Sequence, residues 1–275
     1  MHIYDFSRVI LAALFMSASS AFAEGLRIGL LTRASMSEEG HTERNASDDI
    51  WMYKVYGAGH GKDDNFHYYP NITSMLMALN AGEVDELFMN KLSAEYVIST
   101  NPEYMISCAE RATGAYYTFG FMKDSSGLLL QKNFNNALAD MRQDGTLNAL
   151  IHKYCMKPGK DEISSVKFDR FEGAETVKVA LTGDVPPVDF TAADGKPAGF
   201  NTAILSEIGR RLKVNIELVD VDTAAKTAAL ASGRVQAVFW YLLIKDTDLQ
   251  YDAADGVIFS DPYYEWDIFL HVKKK

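Results

Sequence analysis

Apolar residues form two short continuous runs in different halves of the chain, and a similar motif follows each run. Ile28–Thr32 and Lys178–Thr182 both predict a short buried strand. After a similar interval, Leu79–Phe88 and Leu230–Phe239 share the pattern L-x-x-G-x-V-x-x-x-F. The glycine can end a helix in the left-handed conformation, and the apolar residues behind it predict the next strand. The two halves therefore contain copies of one strand–helix–strand plan.

The second copy has the clearest alternation of strand and helix. Asn201 is a candidate N-cap for a helix whose apolar residues fall on one face. Those residues are Ile204, Leu205, Ile208 and Leu212. Val214, Ile216 and Leu218 then alternate as they would in a strand. Strands alternating with helices predict parallel α/β sheets, in which ligands bind beyond the carboxyl ends of the strands. Two such lobes facing each other would form a cleft.

The first residues predict a secretion signal. Arg8 precedes an apolar run, Val9–Met16, and small residues follow at Ala21 and Ala23. This order is typical of a signal peptide, so we expect residues 1–23 to be removed and the mature protein to be periplasmic. The apolar run is too short to span a bilayer. An uncleaved N-terminal anchor helix is the alternative.

Composition narrows the functional classes. The 275 residues are 48% hydrophobic, which is enough for two lobes with a core each. The formal net charge is −10 and no basic block is larger than Lys273–Lys275, so we do not expect nucleic acid as a partner. The sequence has no motif for a nucleophilic serine, a zinc-binding helix or a phosphate loop. We therefore expect no catalytic residues, no metal and no cofactor.

The second half contains a series of motifs in a fixed order. They are Val177–Thr182, Pro186–Pro187, Asp194–Asn201, Gly233–Val235 and Phe259–Tyr264. The series closely resembles the amino-terminal lobe of the family 3 extracellular solute-binding proteins of the amino-acid-binding type. Tyr116–Tyr154 resembles that family's last strand and terminal helices, and residues 26–105 resemble its second lobe. The resemblance implies a two-lobed α/β fold, the type II periplasmic-binding-protein fold, with a ligand cleft between the lobes.

The segments stand in an unusual order, because the family's first lobe comes last in this chain. The resemblance therefore implies a circularly permuted monomer. The expected division is a signal peptide at 1–23, the second lobe at 24–110, the returning hinge strand and terminal helices of the first lobe at 111–155, a linker at 156–176, the main part of the first lobe at 177–265, and a second hinge strand at 266–275. The alternative is half of one tandem copy fused to half of the next. Such a chain would complete its lobes by swapping them between two molecules.

The chain has two cysteines, Cys108 and Cys155. Their spacing does not suggest a metal site. The family resemblance extends to the ligand-binding cores of ionotropic glutamate receptors. It implies a disulfide between the two cysteines, because those cores have one at the matching places, and an oxidising compartment permits such a bond. Two buried free thiols are the alternative.

The residues that hold an α-amino acid in this family are missing from the matching positions. Asp248 and Lys245 stand where the resemblance implies an arginine for the carboxylate and a threonine before it, and Asn90 replaces the ammonium-binding aspartate. Val188 replaces an aromatic residue that stacks on the ligand, and Arg33–Ser35 replaces a Gly-Thr-Thr turn. An enclosed carboxylate needs a positive partner. We therefore expect no binding of standard α-amino acids through the usual contacts.

A different recognition set stands at the predicted cleft. Phe239, Trp240 and Tyr241 follow the second glycine motif at a strand end. With Arg33 and Lys245 nearby, they suit a ligand that has a flat or apolar body and one acidic group. The whole expected ligand-binding set is Arg33, Ser35, Asn90, Asp184, Val188, Phe190, Phe239, Trp240, Tyr241 and Lys245. The alternatives are core positions for the aromatic residues and a plain surface role for the two cations.

These observations predict a periplasmic solute-binding protein that captures a small organic ligand by lobe closure. Its partner would be the membrane permease of an ABC-type transporter, or a membrane sensor. One alternative is an interaction or scaffold protein that has kept the fold without a ligand. The other is a dehydratase-like enzyme on the same fold, with Asp184, Asp189 or Glu265 as the cleft carboxylate.

Overall fold

The computed structural model describes residues 25–31, 65–156, 164–239, 243–244 and 256–275. As the sequence predicts, the chain has an α/β structure. Its strands are Arg27–Leu31 (β1), Asn65–Tyr69 (β2), Glu86–Asn90 (β3), Tyr104–Tyr117 (β4), Phe119–Met122 (β5), Thr176–Leu181 (β6), Asp184–Val185 (β7), Asp189–Thr191 (β8), Pro197–Ala198 (β9), Asn215–Asp220 (β10), Ala237–Phe239 (β11), Leu243–Ile244 (β12), Val257–Phe259 (β13) and Tyr264–Lys274 (β14). Its α-helices are Ile72–Ala81 (α1), Lys91–Thr100 (α2), Ser125–Gln143 (α3), Thr146–Ile151 (α4), Phe200–Leu212 (α5) and Lys226–Ala231 (α6). A π-helical turn at His152–Met156 and a 3₁₀ turn at Thr223–Ala225 complete the described elements.

Two main sheets contain most of the described strands. One has the order β12-β4-β14-β3-β1-β2, and the other has the order β10-β6-β11-β5-β13. We call the five-stranded sheet with its helices lobe 1, and the six-stranded sheet with its helices lobe 2. A small sheet, β7-β8-β9, packs on α5 and belongs to lobe 1. In each main sheet the strand next to one edge pairs in parallel with both of its neighbours, namely β1 with β2 and β3, and β6 with β10 and β11. The predicted parallel pairs are present, but both sheets are mixed, because their other strand pairs are antiparallel.

Both motif glycines adopt the left-handed conformation at the end of a helix. Gly82, after α1, has φ 74°, and Gly233, after α6, has φ 71°. The N–H of Gly82 donates to the carbonyl oxygens of Ala78 and Leu79, and the N–H of Gly233 donates to that of Leu230. L side chains rarely occupy this region, so glycine suits both places. The repeated helix–glycine–strand plan is confirmed.

The start of α5 corrects the predicted helix cap. Gly199, and not Asn201, precedes the first helical residue, Phe200, and its φ is 109°. A side chain at Gly199 would place its Cβ 2.4 Å from the carbonyl oxygen of Val188. Asn201 instead lies fully buried in the first turn, where its side-chain oxygen accepts a hydrogen bond from the Tyr263 hydroxyl over 2.8 Å. Close packing of two backbone segments therefore determines this helix end.

Two long antiparallel strands extend from lobe 2 into lobe 1. β4 and β14 pair from Tyr104 with Lys274 to Tyr117 with Tyr264. At the Tyr117 end, β4 leads into β5 and β14 follows β13, and both β5 and β13 belong to the lobe 1 sheet. We call this pair the connecting ribbon. Its pairing is irregular at two places, between Trp266 and Ile268 and between His271 and Val272.

The predicted disulfide is absent, because Cys108 and Cys155 are both free. Cys108 lies opposite His271 in the lobe 2 part of the connecting ribbon. Cys155 is buried in lobe 1 beside Tyr264, the residue that pairs with Tyr117. A strand rises about 3.3 Å per residue, so roughly 30 Å separates Cys108 from Tyr117 along β4. A disulfide needs Cα atoms within about 7 Å. The alternative of two free thiols describes this structure.

Four of the predicted segments lie wholly or partly outside the described residues. The undescribed parts are the leader at 1–23, residues 24 and 32–64 of the expected second lobe, residues 157–163 of the expected linker, and residues 240–242 and 245–255 of the main part of the first lobe. Within the described ranges, no helix has the length and apolar character needed to cross a membrane.

Candidate functional site

The two lobes meet where the small sheet of lobe 1 faces the helices of lobe 2. The Oδ2 atom of Asp184, in β7, accepts a hydrogen bond from the backbone N–H of Thr73, in the first turn of α1, over 3.0 Å. The rings of Phe190, in β8, and Tyr96, in α2, have centroids 6.0 Å apart. Two of the predicted ligand-binding residues, Asp184 and Phe190, therefore lie together at the contact between the lobes.

The position of Asp184 on α1 is electrostatically favourable. The first N–H groups of a helix have no partner inside the helix, and the helix N-terminus carries a partial positive charge. The Asn71 side chain already accepts a hydrogen bond from the N–H of Ser74 over 2.8 Å. Asp184 accepts a hydrogen bond from the N–H of Thr73, the residue before Ser74. The N-terminus of α1 thus receives one cap from its own lobe and one from the other lobe.

The Phe190–Tyr96 pair forms an apolar wall beside this hydrogen bond. Both side chains are half-buried. The Tyr96 ring lies in a partly dehydrated environment, and this burial raises the pKa of its phenol. Half-buried rings retain a face that a bound molecule can cover.

A cluster of polar side chains is buried at the carboxyl edge of the parallel strands of lobe 1. Asp189, Asn201 and Lys226 have no exposed surface. The N–H of Gly183, just after β6, donates to Oδ1 of Asp189 over 3.0 Å. The Lys226 ammonium donates to the carbonyl oxygen of Phe239, at the end of β11, over 3.3 Å. Parallel α/β sheets bind their ligands at this edge.

Opposing effects act on the Asp189 carboxylate. Burial removes its hydration and raises its pKa. The positive charge of Lys226, the backbone N–H groups of Thr182 and Gly183, and the amide of Asn201 all lower the pKa, but together they do not offset the burial. The pKa of Asp189 therefore lies above its usual range. The cluster is a buried acid and a buried amine held at a strand edge.

Sequence alone does not single out Lys226. It stands within Ala224–Ala229, where the neighbours are small residues. A lysine is rarely fully buried, so the ordinary expectation for this one is a surface position. One feature of the sequence could have indicated its burial. Lys226 is a lone lysine among small residues, just before the apolar L-x-x-G motif.

Three of the predicted ligand-binding residues have structural roles in their own lobes. Asn90 ends β3 and caps α2, because its Oδ1 accepts a hydrogen bond from the N–H of Ser93 over 3.0 Å. Val188 is fully buried in the lobe 1 core. Phe239 is also fully buried, with its ring centroid 5.6 Å from that of Phe119. Phe239 is therefore a core residue, which was the alternative to a role in ligand binding. Val188 is also a core residue, and it is not exposed as a residue that stacks on a ligand would be.

The other predicted ligand-binding residues lie outside the described part of the chain. They are Arg33, Ser35, Trp240, Tyr241 and Lys245. Their place in the site stays a prediction, as does that of Asp248. Glu265, one of the candidate carboxylates, is exposed on β14.

Residues 177–275 match the model for the bacterial extracellular solute-binding proteins, family 3. The match includes the motifs from Val177 to Tyr264 and continues to the end of β14. This segment is therefore similar to the family 3 solute-binding proteins, as its motifs predict. No curated protein matches the chain.

The chain is also similar to solved structures. One is the ligand-binding component of an ABC-type import system from Staphylococcus aureus, at 11% identity and a TM-score of 0.46, with 91% of this chain and 66% of that chain covered. Another is the periplasmic aliphatic sulphonate binding protein SsuA from Escherichia coli, at 14% identity and a TM-score of 0.42, with 91% and 65% covered. A third is the GluR0 ligand-binding core from Nostoc punctiforme, at 9% identity and a TM-score of 0.41, with 91% and 85% covered. The chain spans just under two thirds of the length of the first two structures.

Proposed function

We propose that this chain is a periplasmic solute-binding protein that captures a small organic ligand between its lobes, for an ABC-type transporter or a membrane sensor. The observation that carries the proposal is the contact from Asp184 to the N-terminus of α1, because Asp184 belongs to the segment that matches family 3. The contact joins the two lobes directly. A protein that works by lobe closure needs contacts of this kind in its closed state.

Closure also requires a hinge, and we assign this role to the connecting ribbon. β4 and β14 pair over most of their length. The pairing shifts between Trp266 and Ile268, nearer lobe 1, and again between His271 and Val272. A shift of this kind interrupts the ladder of hydrogen bonds and lets a strand bend or twist. The lobes can then rotate about the ribbon while each keeps its own sheet intact.

The features of the site support a ligand with an apolar or flat body and one acidic group. The half-buried rings of Phe190 and Tyr96 suit the apolar body. Lys226 places a positive charge at the carboxyl edge of lobe 1, where Asp189 offsets part of it. At the position where the family binds an ammonium group, Asn90 is neutral and its side chain caps α2. These features support the expectation that standard α-amino acids are not bound through the usual contacts.

Binding needs no bond to be made or broken, and the proposal gives no residue a catalytic role. Asp184 bonds to the backbone of the other lobe, and Asp189 is enclosed in the core of lobe 1.

Thermal-shift screening followed by calorimetry tests the proposal. The panel would contain the twenty amino acids together with aliphatic and aromatic carboxylic acids. A ligand that binds only the folded protein raises its melting temperature. We expect stabilisation by at least one carboxylic acid and by none of the amino acids. A scaffold protein would respond to no compound, and an enzyme would consume the compound that stabilises it, so either result would replace the proposal with one of the alternatives.

A further inference from the structure

Three side chains with metal-binding atoms lie together in the lobe 2 sheet. They are Glu86 on β3, Cys108 on β4 and His271 on β14, and their ligand atoms all lie within 4.8 Å of one another. His271 is opposite Cys108 where β14 pairs with β4, and it is opposite Phe88 where β14 pairs with β3. Glu86 is next but one to Phe88, and alternate residues of a strand share a face. The register of three adjacent strands therefore puts all three side chains on one face of the sheet.

We propose that Glu86, Cys108 and His271 form a binding site for a divalent metal ion, with Zn²⁺ as the best fit. Zinc accepts thiolate, imidazole and carboxylate ligands, and three protein ligands leave a fourth position for water. Hard ions such as Mg²⁺ and Ca²⁺ prefer sets made of oxygen atoms alone. The site runs against the expectation from sequence, because its ligands come from three distant segments and share no local spacing.

The geometry is close to that of a loaded site. Nδ1 of His271 and Oε2 of Glu86 are 2.9 Å apart, in hydrogen-bond contact. Around a tetrahedral zinc with bonds of about 2.0–2.3 Å, neighbouring ligand atoms are roughly 3.3–3.6 Å apart. The ion would enter between Nδ1 and Oε2, and these two atoms would have to separate to admit it. All three ligands stand on strands, so the backbone holds them in place.

The surrounding charges favour a cation. Glu86 and Glu110 both act on the Cys108 thiol, and Lys273 is the cation that opposes them. Zinc binds cysteine as the thiolate, so the Cys108 thiol loses its proton when the ion binds. Zn²⁺ replaces that proton, and one H⁺ is released as the zinc–thiolate bond forms.

A bound ion would fasten β14 to both of its neighbours in lobe 2. β14 is one strand of the connecting ribbon, so the ion would anchor the ribbon where it enters this lobe. The two other ligands stand on β3 and β4, the strands on either side. We therefore expect Zn²⁺ to stabilise the protein without taking part in capturing the solute.

Cobalt is the probe for the test, since Co²⁺ bound to a thiolate gives a charge-transfer absorption band that Co²⁺ bound to oxygen and nitrogen alone does not. The full chain would be reduced, prepared without a histidine tag, and titrated with Co²⁺ and then with Zn²⁺. We expect the band to appear and then to disappear as Zn²⁺ displaces Co²⁺. Cys108→Ser should abolish the band. Cys155→Ser is the matched control, because it removes the other thiol, in lobe 1, and should leave the band unchanged.

A second measurement covers the case in which a variant is unstable. Zn²⁺ should raise the melting temperature of the wild type and of Cys155→Ser, but not that of Cys108→Ser or Glu86→Gln. The inference fails if no thiolate band forms, if the band survives in Cys108→Ser, or if Zn²⁺ stabilises all four proteins equally. Failure here leaves the solute-binding proposal untouched, because that proposal rests on the contact between the lobes.

Discussion

Gly199 is the residue on which the start of α5 depends. Its φ is 109°, and a Cβ there would lie 2.4 Å from the carbonyl oxygen of Val188. We expect Gly199→Ala to lower the free energy of unfolding by at least about 2 kcal/mol, from backbone strain and from displacement of the Val188 segment. Urea denaturation would measure the change.

Gly195→Ala is the matched control for this substitution. Gly195 also has a positive φ, of 76°, but no atom lies within 4 Å of where its Cβ would be. Gly195→Ala therefore has the conformational cost of a positive φ but no steric clash, and we expect it to lower the free energy of unfolding by about 1 kcal/mol. Equal losses for the two variants would show that Gly199 acts through φ alone and that the close approach is unimportant.

The contrast between two kinds of residue shows how far a sequence can be read at this scale. Gly82 and Gly233 were predictable because a helix end is a local event, determined by a few neighbouring residues. Lys226 and Phe239 were not, since their burial depends on strands that are distant in the chain. Asn201 belongs with them: it is a good N-cap by type, but a partner far along the chain, Tyr263, holds it inside the first turn.

At the scale of elements, α1 is a lobe 2 helix that contacts lobe 1 directly. Asp184 accepts a hydrogen bond from its N-terminal backbone across the contact between the lobes. Asp184→Asn keeps an acceptor but removes the charge that the helix N-terminus favours. We expect it to weaken binding of the identified ligand roughly two- to fivefold, because a charge at a helix terminus contributes about 0.3–1 kcal/mol. Calorimetry with that ligand is the measurement.

Asp194→Asn is the control for the charge change. Asp194 is in the same lobe, and its carboxylate bonds to Ser165 and to the backbone of Lys196, both within lobe 1. We expect affinity to be unchanged in this variant. A similar loss in both variants would mean that net charge and not closure determines the affinity, and no loss in Asp184→Asn would remove this contact from the closure mechanism.

The strands show why the predicted disulfide was wrong. The resemblance places Cys108 just before a hinge strand, at a point close to the last helices. In the structure β4 is a single strand from Tyr104 to Tyr117, so Cys108 falls well inside lobe 2 while Cys155 stays in lobe 1. The length of a strand that joins two lobes depends on pairing with β14, a segment far along the chain. Local sequence could not supply that length.

At the scale of the whole molecule, the order of the segments is the unusual feature. β1, β2 and β3 come first and lie in the lobe 2 sheet, whereas β6, β10, β11 and β13 come later and lie with β5 in the lobe 1 sheet. We propose that this arrangement is a circular permutation of the family 3 fold within one chain. The alternative of a lobe-swapped dimer predicts the same two sheets, built from two molecules.

A reordered chain and a mass measurement decide between these readings. Residues 164–275 would be placed first and joined through a flexible linker to residues 25–156, which restores the family's order. A permuted monomer should tolerate this change, because the cut falls among residues 157–163, outside the described elements, and both sheets and the connecting ribbon keep their strands.

We expect both chains to elute with the mass of one molecule in size-exclusion chromatography with light scattering. We also expect both to unfold in a single urea transition and to be stabilised by the same ligand. A natural chain with the mass of two molecules, beside a monomeric reordered chain, would instead establish lobe swapping, since only the swapped arrangement needs a second molecule to complete its lobes.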